Sequence, residues 1–238
     1  MNSSRKKNYS RLFHTGMVSV LAILSLTFMS GCLDDDDGDI HAIPVAYVSL
    51  YQASPDAPGL NITVDGRVIN SSSFDYKDHT GYLRFYTGER NLKIGPFGAS
   101  NVVIDTTVTL DENKTYSIFV VDDYQQAEIL FLKDSANAPA EGKARLRFVN
   151  LSPDSENSEV QVTGETNALF EDHSFKEASE FIEVDAKEYD FEIGTNGDNT
   201  LNVPDIKLNA GYYYTIVLRG YQNSESPDKA LSAEVLVN

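Results

Sequence analysis

Short runs of alternating apolar and polar residues recur along most of this chain, with turn-forming residues between them. Residues i and i+2 of a strand share a face, so such runs are typical of strands buried on one side. The pattern predicts seven strands in the first half of the chain, at 45–52, 60–69, 82–86, 90–95, 102–110, 115–122 and 127–132. It predicts seven more in the second half, at 144–151, 159–163, 180–184, 188–193, 200–208, 212–219 and 231–237. Many short strands at this spacing favour an all-β chain of immunoglobulin-like antiparallel β-sandwich domains.

The two halves are diverged copies of one unit. Ser54-Pro55-Asp56 recurs 98 residues later as Ser152-Pro153-Asp154, and several other short matches share this offset to within one residue. We therefore predict two tandem β-sandwich repeats, at 44–134 and 143–238. Residues 135–142 form a short polar linker between them.

The copies also predict which side of each strand is buried. The matched positions of the first strand are Val48 with Leu146, Leu50 with Phe148, Tyr47 with Arg145, and Ser49 with Arg147. The first two pairs stay apolar and are expected in the core. The other two alternate with them and are expected to face solvent.

Residues 1–31 have the features of an export signal. They carry four basic residues and no acidic one, followed by an apolar run at 17–29 that is short for a membrane span. The ending Phe28-Met29-Ser30-Gly31-Cys32 resembles the lipobox of bacterial lipoproteins, although that pattern prefers Leu where Phe28 stands. The resemblance implies a lipoprotein signal peptide at 1–31 and a diacylglyceryl group on the sulfur of Cys32. The alternative is an ordinary signal peptide or an uncleaved anchor.

An acidic tether is expected to follow the lipidated cysteine, at 32–43. Five aspartates lie close together in it and repel one another. In some bacteria such a run marks a lipoprotein for the cell surface, whereas a plain solvated spacer explains the same residues equally well. The expected location is the bacterial cell envelope, with the protein lipid-anchored at the outer membrane on its surface or periplasmic side.

Composition excludes some partners and sites. The 19 basic and 36 acidic residues give a net charge of −17, which disfavours binding to nucleic acid phosphates. The single cysteine excludes an internal disulfide and a cysteine-rich zinc site. We predict no cofactor and no nucleic acid partner. The expected partners are the membrane, through the covalent lipid, and a protein or glycan ligand.

The segment 53–66, ASPDAPGLNITVDG, resembles the opening of the bacterial domain of unknown function 4397. Members of that family typically begin with an SPDAP turn and a strand ending in VDG, and close with an AGxxYT segment, which Ala210–Thr215 supplies here. The resemblance covers 44–134 well and 143–221 more weakly. It implies an exported protein, often a lipoprotein with tandem domains, and brings no established activity and no catalytic residues.

Two groups of residues are interpreted as structural. Tyr116 and Tyr214 each lie six residues after a leucine, in a pattern that resembles the tyrosine corner of Greek-key sandwiches. The Ser-Pro-Asp turns could offer a hydroxyl and a carboxylate to a ligand. Serine, proline and aspartate are also the residues that such turns require, and this interpretation is preferred.

Acidic residues and histidines are the candidate sites of chemistry in this sequence. Carboxylates that could meet at the ends of the sandwiches and hold calcium are Asp56, Asp65, Asp122, Asp123 and Asp154. On so acidic a chain such clusters also arise by chance, and no metal site is predicted. Asp78-His79-Thr80 and Asp172-His173-Ser174 look alike but do not align in the repeat, so we interpret both histidines as surface residues. No catalytic motif is present, and we predict a protein that is not an enzyme.

Four tyrosines share one side of the first repeat: Tyr47, Tyr51, Tyr82 and Tyr86. They could form an aromatic platform for a sugar ligand, or they could pack against the second repeat, and packing is preferred because the chain has no tryptophan. The predicted function is a non-catalytic cell-envelope lipoprotein that acts as a binding or adhesion module. The alternatives are a structural spacer and a carbohydrate- or calcium-binding protein.

Overall fold

The computed structural model describes residues 43–134, 137–195 and 199–238. The predicted signal peptide, Cys32 and the acidic run after it lie outside the described residues. The described part is built of strands joined by turns and two short 3-10 helices, Tyr124–Gln126 and Pro227–Lys229. None of the helices in these ranges is both long and apolar enough to cross a membrane.

Each repeat contains eight of the described strands. Those of the first repeat are β1 (Val45–Gln52), β2 (Leu60–Val64), β3 (Arg67–Val68), β4 (His79–Tyr86), β5 (Gly88–Pro96), β6 (Ile104–Leu110), β7 (Thr115–Val121) and β8 (Glu128–Lys133). Those of the second are β9 (Lys143–Asn150), β10 (Ser158–Val162), β11 (Ala168–His173), β12 (Ile182–Asp185), β13 (Glu188–Thr195), β14 (Asn199–Lys207), β15 (Tyr213–Arg219) and β16 (Ser232–Val237).

The strands form two four-stranded sheets in each repeat. The first repeat pairs them in the orders β4-β1-β7-β8 and β3-β2-β5-β6, and the second in the orders β12-β9-β15-β16 and β11-β10-β13-β14. The pairs β1 with β7 and β9 with β15 are parallel, whereas the other pairs are antiparallel. The prediction of an all-β chain with two tandem sandwiches is therefore confirmed.

The structure differs from the predicted strands at two places. The strand predicted at 60–69 is a hairpin, because Asp65 and Gly66 both take positive φ, 48° and 79°, and turn β2 back into β3. This is the backbone of a two-residue type I′ turn, for which Asp-Gly is a preferred sequence. Strand β11 was not predicted, because its sequence ALFEDH has no sustained apolar–polar alternation.

Each sandwich has its own apolar core between its two sheets. Fully buried members are Val48, Leu50, Ile62, Ile94 and Val120 in the first repeat and Leu146, Phe148, Val160, Ile193 and Ile216 in the second. The residues that the alternation placed in the core are there.

A third apolar cluster joins the two repeats. Its buried members are Tyr51, Ala53, Phe119 and Val121 from the first repeat and Val149, Leu151, Val217 and Leu236 from the second. The sheets that contain β1 and β9 therefore pack against each other through the faces that point away from their own cores.

This contact corrects the prediction that Ser49 and Arg147 face solvent. Their exposed fractions are 4% and 3%, because the sheet of the other repeat covers them. Alternation correctly separated the two sides of the strands, but both sides are buried.

Candidate binding cleft between the repeats

A cleft of about 270 Å³ lies where the two repeats meet, and both repeats line it. The first repeat contributes Tyr82, Thr115 and Asp134, and the second contributes Phe181, Tyr213 and Asn238. These are equivalent positions of the two repeats. Phe181 lies 99 residues after Tyr82, and Tyr213 lies 98 residues after Thr115. Asp134 and Asn238 each directly follow the last strand of their repeat. Equivalent patches meet at a two-fold interface, so the cleft lies where this internal duplication brings the same three positions together.

Aromatic rings form much of the cleft wall. The rings of Phe181 and Tyr213 meet edge to face, with centroids 5.8 Å apart. The guanidinium carbon of Arg147 lies 4.6 Å from the centroid of Phe181. Such contacts fix the orientation of the rings before any ligand arrives.

A buried ion pair lies beneath the rings and joins the repeats. Arg147 Nη1 lies 2.6 Å from Asp134 Oδ1, and the two side chains are 3% and 5% exposed. Arg147 also donates from Nε to the hydroxyl of Thr215 and from Nη2 to the hydroxyl of Ser117, at 2.9 and 3.1 Å. The guanidinium is thus held on three sides, as a buried charge requires.

The remaining oxygen of Asp134 connects this pair to the cleft. The hydroxyls of Tyr82 and Ser117 both donate to its Oδ2 at 2.7 Å. The Asn238 amide donates to the Tyr82 hydroxyl at 3.1 Å. Burial, and then the charge of Asp134, raise the pKa of Tyr82 well above its usual range, so its hydroxyl stays protonated at neutral pH.

The aspartates of the Ser-Pro-Asp turns make hydrogen bonds within their own repeats. Asp56 Oδ1 accepts a hydrogen bond from the backbone of Tyr124, and Asp154 accepts the corresponding bond from the backbone of Gln222. The prolines Pro55 and Pro153 lie in the turns themselves. Each turn is thereby tied to the loop after β7 or β15.

The serines of these turns differ between the copies. The Ser152 hydroxyl donates to the Gly220 carbonyl at 2.6 Å. The Ser54 hydroxyl is buried and has no hydrogen-bond partner among the described residues, although its backbone N–H donates to the Gln52 side chain at 2.8 Å. Neither serine lines the cleft.

The two corner tyrosines also make internal contacts. The Tyr116 hydroxyl accepts a hydrogen bond from the backbone of Asp111 at 3.0 Å, and the Tyr214 hydroxyl accepts one from Asn209 at 2.9 Å. Both rings are buried. These are the bonds that a tyrosine corner makes.

The structure does not bring the four tyrosines into one exposed platform. Tyr51 is 1% exposed and packs within the contact between the repeats, and Tyr82 lines the cleft. Tyr47 and Tyr86 are 39% and 59% exposed. The hypothesis that all four tyrosines form one flat platform for a sugar is therefore wrong, because the second repeat covers the middle of this face.

The acidic residues considered for calcium have other partners. Asp65 pairs with Arg90 at 2.9 Å, Asp123 accepts from the Tyr221 hydroxyl, and Asp122 accepts from the backbone of Asp123. No group of three or more histidine, cysteine or acidic side chains in the described ranges is arranged to hold a metal ion.

The two histidines occupy unrelated surroundings. His79 lies 6.0 Å from the ring of Tyr51, and the adjacent Thr80 hydroxyl donates to the Gly81 carbonyl. His173 packs against the rings of Phe148 and Phe170. Both are half-buried, so their interpretation as surface residues is corrected.

Most residues of the cleft were not predicted from sequence. The sequence pattern places Asp134 at the end of the first repeat, and Phe181 and Tyr213 in predicted strands. One signal was available, because β7 (TYSIFVV) and β15 (YYTIVLR) are nearly continuous apolar runs rather than alternating ones. Such runs are typical of strands buried on both faces, which indicates a covered outer face.

The chain resembles several known proteins at low identity. It is 22% identical over 223 residues to mouse solute carrier family 15 member 2, a match that covers 91% of this chain and 30% of that protein. The chain thus spans about a third of the length of this curated relative.

Two solved structures show a distant likeness. One is the family 26 carbohydrate-binding module of Eubacterium rectale Amy13K in complex with maltoheptaose, at 9% identity and a TM-score of 0.25, covering 81% of this chain and 97% of that one. The other is a proposed cell adhesion protein of Parabacteroides distasonis, at 10% identity and a TM-score of 0.21, covering 83% of this chain and 99% of that one. At these scores neither likeness bears on function.

The family comparison agrees with the SPDAP turn and the VDG strand. Residues 46–161 match the family model described as domain of unknown function DUF4397. The matched segment runs from β1 through nearly all of β10, and so includes the first sandwich and the opening of the second. The predicted resemblance to this family is thus confirmed over residues 46–161.

Proposed function

We propose that this protein is a non-catalytic binding module that holds a sugar residue in the cleft between its repeats. The observation that carries the proposal is the convergence of three aromatic rings, Tyr82, Phe181 and Tyr213, with the polar side chains of Asp134 and Asn238. A sugar ring has an apolar face of C–H groups and a rim of hydroxyls. Aromatic rings suit the face, and amide and carboxylate oxygens suit the rim.

The size of the cleft limits the ligand. Pockets for drug-sized molecules have volumes of about 300–1,000 Å³. At about 270 Å³ this cleft suits one sugar residue rather than a bound oligosaccharide. A terminal sugar of a larger glycan fits both the volume and an adhesion role.

The proposal places the module at a bacterial cell envelope, anchored through a lipid on Cys32. The basic head, the short apolar run and the single cysteine at its end support this part. Several acyl chains on one residue hold a protein stably at a membrane. Replacing Cys32 with Ala should move the protein from the membrane fraction to the soluble fraction, and retention in the membrane contradicts the lipid anchor.

The binding proposal is tested by a glycan array followed by calorimetric titration of the sugars that bind. Tyr213→Ala removes a cleft ring, whereas Tyr212→Ala removes the neighbouring ring, which is 52% exposed and does not line the cleft. We expect Tyr213→Ala to weaken binding about tenfold, as loss of an aromatic contact and its buried area implies. Tyr212→Ala should bind as the parent does. Equal affinities for the two variants contradict the proposed site.

A structural spacer is the second candidate, and the apolar contact between the repeats favours it. That contact and the Arg147–Asp134 pair hold residues 43–238 together as one compact unit. A spacer needs such rigidity but no ligand. If no glycan binds the protein and none raises its melting temperature, the structural spacer is the better explanation of its function.

A further inference from the structure

A second groove, of about 580 Å³, lies on the first repeat alone and shares no lining residue with the cleft. It runs along the open edge of the sandwich, where β4 of one sheet faces β2 and β3 of the other. Its apolar lining comes from Val64, Ile69, Leu83, Phe85 and Tyr86, and its charged lining from Asp65, Arg67, Arg84 and Arg90. We name it the edge groove.

The edge groove concentrates positive charge on an acidic protein. Three of its lining residues are arginines on a chain of net charge −17. Arg90 is paired with the groove's own Asp65. Arg67 and Arg84 are exposed, and neither makes an ion pair or a side-chain hydrogen bond among the described residues.

The second repeat shows that the fold does not require arginine at these places. Glu165 and Glu183 stand at the positions equivalent to Arg67 and Arg84, 98 and 99 residues later. β4 pairs with β1 in the same register as β12 pairs with β9, because Arg84 lies opposite Tyr47 and Glu183 lies opposite Arg145. The positive charge is therefore specific to the first repeat.

The strand beside the groove has a free edge. β4 pairs with β1 on one side and with no described strand on the other. The Thr87 N–H donates to the Pro44 carbonyl, so the alternation of antiparallel bonds directs the backbone of Phe85 and Leu83 toward β1. The backbone groups of Tyr82, Arg84 and Tyr86 then point outward, and none of them pairs with a described residue.

We propose that β4 binds an extended acidic peptide segment of a partner protein as an added strand. The partner backbone would pair with the outward groups of β4, and its apolar side chains would lie in the edge groove beside Leu83 and Phe85. Its alternate, acidic side chains would lie on the other face of the sheet beside Arg84, and Arg67, on the far side of the groove, would add positive charge nearby. Addition of a strand satisfies backbone groups that a small ligand cannot, and pockets for alternate side chains give specificity. The two free guanidinium groups complement a carboxylate partner.

The test uses the full chain and a labelled ten-residue peptide that alternates valine and glutamate, followed by fluorescence anisotropy. We expect saturable binding that falls about tenfold or more in the double variant Arg67→Glu, Arg84→Glu. The control variant Lys114→Glu, Lys207→Glu changes the net charge equally at exposed positions outside the groove and should bind as the parent does. Tyr213→Ala, in the cleft, should also leave peptide binding unchanged.

Two further peptides separate strand addition from attraction of charge. A valine–lysine peptide should not bind, and a valine–glutamate peptide N-methylated at alternate residues should lose its affinity, because it cannot complete the strand pairing. Undiminished binding of the methylated peptide overturns the proposal, as does equal loss in the groove and control variants. Self-association that the groove variant abolishes, with no peptide binding, also overturns it and assigns the edge to a second copy of this chain.

Discussion

At the scale of single residues, Arg147 shows how a charge is retained inside the contact between the repeats. Removing a guanidinium and a carboxylate from water costs several kcal/mol each, and their attraction offsets this only when their hydrogen-bonding groups have partners. Here Ser117, Thr215 and Tyr82 supply those partners around Arg147 and Asp134. The pair therefore matters most when one member is removed, because the other is then left charged and buried.

We expect Arg147→Met to lower the free energy of unfolding by about 3–5 kcal/mol, measured by urea titration. The double variant Arg147→Met, Asp134→Leu should recover much of this loss, because it leaves no unpaired charge. Lys143→Ala breaks the exposed pair with Asp185, at 2.7 Å, and should cost less than about 1 kcal/mol. A double variant no more stable than Arg147→Met contradicts the assignment.

His79 gives the protein a dependence on pH that can be tested separately. Burial lowers the pKa of His79 below its usual 6.5, and the charge of Glu234 offsets this only in part. On acidification the unfolded chain therefore takes up a proton at this histidine before the folded protein does. Its contribution to stability is complete above pH 6.5 and is lost as the pH falls through and below that value.

Urea midpoints at pH 7.5 and pH 5.5 measure this effect. We expect the parent to be less stable at pH 5.5, and His79→Gln to show a smaller difference between the two conditions. Above pH 5 most carboxylates stay ionised, so they add little to this window. An equal difference in parent and variant excludes His79 as the source.

At the scale of elements, alternation predicted the core-facing side of the strands well and the exposure of the other side poorly where the second repeat covers it. The alternation in β1 placed Val48 and Leu50 correctly in the core. The same alternation placed Ser49 toward solvent, because a second repeat on the outer face leaves no mark on the spacing of residues. Only the near-continuous apolar runs of β7 and β15 indicate burial on both sides.

The candidate site was predictable only in part, for the same reason. Tyr82 is predictable as a candidate because it shares a side of the sheet with other tyrosines. Its partners Phe181 and Asn238 come from the other repeat, and their approach depends on how the sheets pack. The packing of one repeat against the other leaves no pattern in the spacing of apolar and polar residues along the chain.

The corner tyrosines can be tested as elements that secure the turn before β7 and the turn before β15. Tyr214→Phe keeps the buried ring and leaves the Asn209 N–H without its acceptor. We expect a loss of about 1–2 kcal/mol in the free energy of unfolding. Tyr212→Phe alters an exposed ring and should be neutral. Equal stabilities of the two variants would show that the Tyr214 hydroxyl contributes nothing.

At the scale of the whole molecule, the contact between the repeats couples their stabilities. Each repeat presents an apolar face that water would reach if the other repeat unfolded, with Phe119 and Val217 among its buried residues. Exposing such a face costs about 25 cal/mol per Å² of apolar surface. The free energy of each sandwich therefore includes part of the contact, and neither is expected to unfold alone.

Calorimetry of the two sandwiches together should accordingly show a single unfolding transition, with equal calorimetric and van't Hoff enthalpies. Phe119→Asp buries an unpaired carboxylate in the contact, and we expect it to cost about 4 kcal/mol and to lower the melting temperature by roughly 10 °C. The transition should also broaden or split, because the repeats no longer support each other. Phe97→Asp, at a position that is 46% exposed, introduces the same group and should retain a single transition near the parent temperature. Two separate transitions in the parent protein would show that the sandwiches are independent, and the rigidity on which the spacer role depends would then be absent.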